Sequence, residues 1–100
     1  MFFIWDDWND GHITKHRVER HEAESVVRSA KRPYPKKIGN RKWLVKGRTI
    51  GMRIIQVIYV HKNPSDIEIA ALEPEERIQL MEGEPAVYVI HARDLRRGER

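Results

Sequence analysis

The period of hydrophobic and polar positions changes along this chain, and each change marks an element. Residues 2–5 are apolar in succession, which predicts a short first strand. Trp5, Trp8, Asn9, His12, Ile13 and His16 then fall at i, i+3, i+4, i+7, i+8 and i+11, one stripe of a helix spanning about residues 7–16. Asp10-Gly11 would also suit a hairpin turn, but its flanks do not alternate. Ala23, Val26, Val27 and Ala30 repeat at helical spacing and predict a second helix. Glu22 and Glu24 lie at its positive end, Arg28 and Lys31 at its negative end, and Pro33 and Pro35 stop it.

Residues 42–50 and 52–61 read as two long strands joined by a tight turn at Gly51. One face of the first carries Leu44, Lys46 and Arg48, the other Trp43, Val45 and Thr49. In the second, Arg53, Ile55, Val57, Tyr59 and His61 oppose Ile54, Gln56, Ile58 and Val60. The near-continuous apolar run at residues 54–60 predicts a central strand covered on both sides. A turn at residues 63–66 leads to a short helix opened by Pro74, Glu75 and Glu76 and ended at Gly83. A last strand over residues 87–92 and a short helix over residues 94–100 follow. The expected fold class is α+β: a small antiparallel sheet of about four strands, with two N-terminal helices and a short C-terminal helix packed on it.

One hundred residues make a single domain, residues 1–100. The absence of cysteine excludes disulfide and thiolate chemistry. The opening MFFIWDDWND meets aspartates after five apolar residues, so neither a signal peptide nor a membrane span is expected, and the chain reads as cytoplasmic.

Charge changes the picture most. Residues 28–53 hold ten Lys or Arg and no Asp or Glu, whereas residues 63–86 hold seven acidic residues against one Arg, an acidic insertion in a basic body. Such a run fits a polyanion, RNA being the favoured one, although the basic loop expected at residues 32–41 signals a polyanion and not RNA specifically. Arg32, Lys36, Lys37, Arg41, Lys42 and Lys46 would follow a phosphate backbone, and Tyr34 would lie under a base. Trp43 is better read as core.

Cleaving RNA without a metal takes a base for the 2′-hydroxyl proton, cations for the charge building on phosphorus, and an acid for the leaving oxygen. Lys15, His16, Arg48, Arg53, His91 and Arg93 can supply these roles. Each also has a plainer reading, as a part-buried histidine or a solvated cation. His12 and His16, one turn apart, would need a third ligand to hold a metal, and no His-Glu motif of zincin type is present. No metal and no cofactor is expected.

Three separated strings resemble one family. They are Trp5-Asp6, Asn9, His12-Ile13, Lys15-His16, Val18 and Glu22-Ala23-Glu24; Gly47-Arg48-Thr49 with Gly51 and Arg53; and Val89-Ile90, Ala92-Arg93-Asp94-Leu95 and Glu99-Arg100. In this order, across nearly the whole chain, they resemble BrnT-like toxins. Arg17 stands where that family usually has Gly, and Arg96 where it usually has a hydroxyl residue. The resemblance implies a RelE-like fold and the toxin of a type II toxin–antitoxin pair, a metal-independent endoribonuclease that blocks translation. Its partners would be RNA and a cognate antitoxin, a DNA-binding protein of ribbon-helix-helix type, with a homodimer as an option and no membrane partner. The competing readings are a non-enzymatic module that binds nucleic acid or an acidic protein, and a co-repressor acting with its antitoxin. The acidic segment, residues 66–84, also suggests a built-in brake that folds back on the basic face.

Overall fold

The computed structural model describes residues 1–63, 69–81 and 85–100. The described elements are β1 (Phe2–Ile4), α1 (Asp7–Thr14), α2 (Arg20–Arg28), β2 (Lys36–Gly39), β3 (Lys42–Arg48), β4 (Ile54–His61), α3 (Pro74–Met81) and β5 (Ala86–Asp94), with one 3₁₀ turn at Arg97–Glu99. The α+β class stands. The sheet has five strands in the order β1-β5-β4-β3-β2, not four, and it is mixed: β1 runs parallel to β5 while every other pair is antiparallel.

The unexpected strand, β2, lies in the stretch read from sequence as a basic loop. Arg41 adopts φ 63, and the chain reverses so that Lys36–Gly39 pairs back on β3. The first strand is parallel because no hairpin joins it to its neighbour. Most of the chain separates β1 from β5, so nothing forces antiparallel pairing. The expected C-terminal helix shrinks to a single turn, because β5 stays paired with β4 as far as Asp94 and Leu95 N–H donates to the Ile54 carbonyl.

The run at residues 54–60 forms the middle strand, as its composition required. One face of β4 (Ile55, Val57, Tyr59) is buried with Val45, Val87, Val89 and Ala92 beneath Ile13, Val18, Ala23, Val26 and Val27. Each fully buried aliphatic side chain contributes roughly 1.5–3 kcal/mol, so this helix-covered face carries most of the stability. Gly47 lets α2 settle there, since a β-carbon at this position would sit 3.1 Å from Cγ1 of Val26. The other face is not covered as expected: Ile54, Gln56, Ile58 and Val60 are only half-buried.

Local signals fix α1. Asp6 caps it, accepting from the Asn9 N–H, while the Asn9 side chain accepts from the Asp6 N–H at 2.8 Å and donates to the Ile4 carbonyl at 3.0 Å. The helix is left through Arg17, which takes φ 59, a conformation costing an L-residue roughly 1–2 kcal/mol. Leu72 and Leu80, flanking and within α3, pack with Phe2, Ile4, Ala86 and Tyr88 at the β1 edge. The described part of the acidic segment therefore docks at the opposite edge of the sheet from β2, not on the basic hairpin. Residues 64–68 and 82–84 of that segment lie outside the described residues. Among the described residues, no helix is long and apolar enough to cross a membrane.

Candidate functional site

Strand register brings the sequence candidates together on the half-open face. Directly paired residues share a face, so three rows cross the sheet there. Lys36, Leu44, Ile58 and His91 form one, Lys46, Gln56 and Arg93 a second, and Lys42, Val60 and Tyr88 a third. Adjacent strands lie roughly 4.8 Å apart, so the first row sets Lys36 about 14 Å from His91. The expected pairing of His91 with Arg93 on one face holds, and so does the grouping of Leu44, Lys46 and Arg48.

The centre of this face is a cluster of imidazoles. β1 pairs only with residues 86–88 of β5, and α1 packs on β5. The helix turns Ile13 into the core and presents His12 and, just past its end, His16 to His91. The ring centroids of His12 and His16 are 5.9 Å apart, those of His12 and His91 6.0 Å, and those of His16 and His91 5.4 Å. The stripe seen in the sequence is therefore split: Asn9 and Ile13 are buried, His12 is half-buried, and Trp8 and His16 are exposed. Burial, then the neighbouring His16, His12 and Arg93 charges, holds the His91 imidazole below its ordinary value, which favours the proton-accepting form.

An aromatic strip continues from the cluster. The Trp8 ring stacks on His12 at 5.1 Å and lies 6.4 Å from Tyr88, whose hydroxyl donates to Asp6 and whose face carries the Lys62 ammonium at 4.6 Å. Trp8 is 59% exposed, a flat apolar ring beside titratable groups. Neither Trp8 nor Tyr88 was singled out as a site residue from sequence. The i, i+4 spacing of Trp8 and His12 was the available signal; Tyr88 joins them only through the fold.

The cations divide by face. Arg93 lies on the cluster's side, where Glu99 grips it through two bonds of 3.0 and 2.6 Å. Those bonds, with the Arg96 N–H, hold the Glu99 carboxyl at about 2. Lys46 donates to the Glu99 main-chain carbonyl at 2.9 Å, so the chain end lies over the second row. Arg53 is elsewhere. It lies on the helix side of the sheet, donating to Glu22 at 2.7 Å, to Asp94 at 2.8 Å and to the Arg17 carbonyl at 2.8 Å. Burial pushes the Glu22 carboxyl up, but the Arg53 hydrogen bond and the Glu19 amide outweigh it and leave it below the usual range. This geometry sets Arg53 apart from the imidazole cluster with which the sequence reading grouped it: just before β4, its side chain turns toward α2.

The remaining candidates take three positions. Lys15 is exposed beside His16. Arg32, Tyr34, Lys46 and Arg48, with Lys31, line a groove of about 380 Å³ where α2 ends against β3. Tyr34 packs partly against the core and has the Lys36 ammonium 5.3 Å from its ring centre, so it is less free than a loop tyrosine would be. Lys36, Lys37, Arg41 and Lys42 are exposed on the β2–β3 hairpin. Trp43 packs against the core as expected.

Neither a protein-family model nor a curated protein sequence matches this chain.

Proposed function

We propose that this protein is a metal-independent endoribonuclease, the cytoplasmic toxin of a type II toxin–antitoxin pair. The observation that carries the reading is one sheet face holding three clustered imidazoles between an aromatic strip and a set of cations. His91, held below its ordinary value, takes the proton of a ribose 2′-hydroxyl. The 2′-oxygen attacks phosphorus, the bond to the 5′-oxygen breaks, and a protonated His16 or His12 gives that oxygen its proton. The products are a 2′,3′-cyclic phosphate and a 5′-hydroxyl. Arg93 and Lys46 are placed to balance the charge on phosphorus once phosphate displaces Glu99, and Trp8 offers a surface for a base. The basic hairpin and the groove at Arg48 extend the contact along the strand, and the same positive surface suits an acidic antitoxin.

The test is cleavage of end-labelled single-stranded RNA by purified protein in EDTA. His91→Ala and His16→Ala should each slow cleavage by roughly 10²-fold or more. RNA left intact by the wild-type protein, together with harmless induced expression in cells lacking the antitoxin, would end the reading. A second reading, a binding module without catalysis, is favoured by one observation: both Arg53 and Arg93 are already tied to carboxylates. Steeply salt-dependent RNA binding without cleavage supports it.

A further inference from the structure

We propose that His12, His16 and His91 form a three-imidazole site for a divalent first-row transition metal ion, zinc being the best fit. The sequence offers only two of these ligands at i, i+4 spacing. The fold supplies the third from a different element, which is what turns a helical histidine pair into a chelating set.

One ligand nitrogen from each ring lies within 4.8 Å of the other two. Tetrahedral zinc with bonds of roughly 2.0–2.1 Å needs its ligand nitrogens about 3.3–3.4 Å apart. The remaining closure falls on His16, the exposed member of the set. His91 stands on a paired strand and the His12 ring is stacked on Trp8. Among the described residues no carboxylate bonds to any of the three rings, so the donors are imidazole nitrogens alone. That set suits zinc, cobalt, nickel or copper and disfavours magnesium and calcium, which require oxygen ligands. Three protein ligands leave a fourth position facing the exposed side, open to water or to an anion drawn by Arg93.

This claim rests on the geometry of the cluster and not on the ribonuclease reading, so its test uses no RNA. Purified full-length protein is titrated with zinc by calorimetry and with cobalt by visible absorption. The expected result is one equivalent bound, with a cobalt spectrum of tetrahedral intensity. His16→Ala and His91→Gln should each weaken binding at least tenfold, while His21→Gln and His61→Gln, outside the cluster, leave it unchanged. Because His16 is exposed, His16→Ala keeps its fold, and circular dichroism checks this. Absence of a one-equivalent site, or undiminished binding in folded His16→Ala, would overturn the proposal.

Discussion

Arg53→Ala separates an arginine that holds the fold together from one that acts on a substrate. Its guanidinium bridges β4 to α2 through Glu22, to β5 through Asp94, and to the loop between the helices through the Arg17 carbonyl. These bonds are unequal. Asp94 is 53% exposed, so that pair contributes about 0.5 kcal/mol or less. The Glu22 side chain is only 15% exposed. Removing its partner leaves a largely buried carboxylate uncompensated, a loss of about 3–5 kcal/mol when burial is complete. Discounted for the exposure of Arg53 itself, the expected loss for Arg53→Ala is about 2–3 kcal/mol. For a domain of this size, each kcal/mol lowers Tm by roughly 4–8 °C.

Urea unfolding at several pH values checks the magnitude and its cause. Glu22 titrates lower in the folded chain than in the unfolded one, so the unfolded chain binds the extra proton. The stabilisation from the pair is therefore fully present above the unfolded carboxylate value, about 4.3, and is lost as pH falls through the lowered folded value. The gap between wild type and Arg53→Ala should be wide at pH 7 and should narrow below pH 4. Arg53→Lys, which keeps the charge but cannot reach three acceptors at once, should lie between them. A loss under about 0.5 kcal/mol, or a gap that persists undiminished at pH 3, refutes the assignment. So does an RNA-cleavage defect in Arg53→Ala that remains after correction for the folded fraction.

Asn9→Ala removes the reciprocal cap of α1 and leaves the Ile4 carbonyl without its donor. It should cost about 2–3 kcal/mol in the same unfolding assay, and a loss under 0.5 kcal/mol would show that the cap carries little. Glu99→Gln weakens the grip on Arg93. It should tighten binding to single-stranded RNA at low salt and steepen the log–log salt dependence by about 0.7 for one added phosphate contact; an unchanged slope would place Arg93 outside the RNA contact. Zinc at the three imidazoles occupies the nitrogen lone pairs that proton transfer needs, so one equivalent should suppress RNA cleavage and EDTA should restore it. Cleavage that requires zinc would refute the metal-independent mechanism.

The sequence was most legible where a period runs long. The alternation of residues 42–50 and 52–61 set which residues share a face within β3 and within β4, and the apolar run of β4 marked the middle strand; the register between the two strands, which turns Arg53 away from Lys46, came only with the fold. It was less legible where pairing depends on distant partners. The β2 strand hides in a proline-marked basic stretch with all four residues exposed, so no alternation betrays it. The histidine cluster was half legible: spacing linked His12 to His16 and His91 to Arg93, but only the docking of α1 against β5 joins the two pairs. No local pattern encodes that contact; it follows from β1 ending early and Ile13 seeking the core.

Two of the three arginines expected to be catalytic, Arg53 and Arg93, are paired in the structure, yet the pairs differ in what they permit. The Glu22 side chain is only 15% exposed, and releasing Arg53 leaves its charge poorly solvated between α2 and the sheet. Glu99 is 35% exposed on a single turn near the chain end, and Arg93 is 33% exposed. Water can solvate that carboxylate as it leaves, so exchange for a phosphate oxygen costs little. Release also frees Lys46 from the Glu99 carbonyl if the turn lifts away, adding a second cation to the same row. The open face has the same freedom. Its residues are half-buried and contribute little packing, so they can move or change without loss of the core on the other side. An arginine that can change partners lies on the face with the imidazoles, and one that cannot lies on the face with the helices.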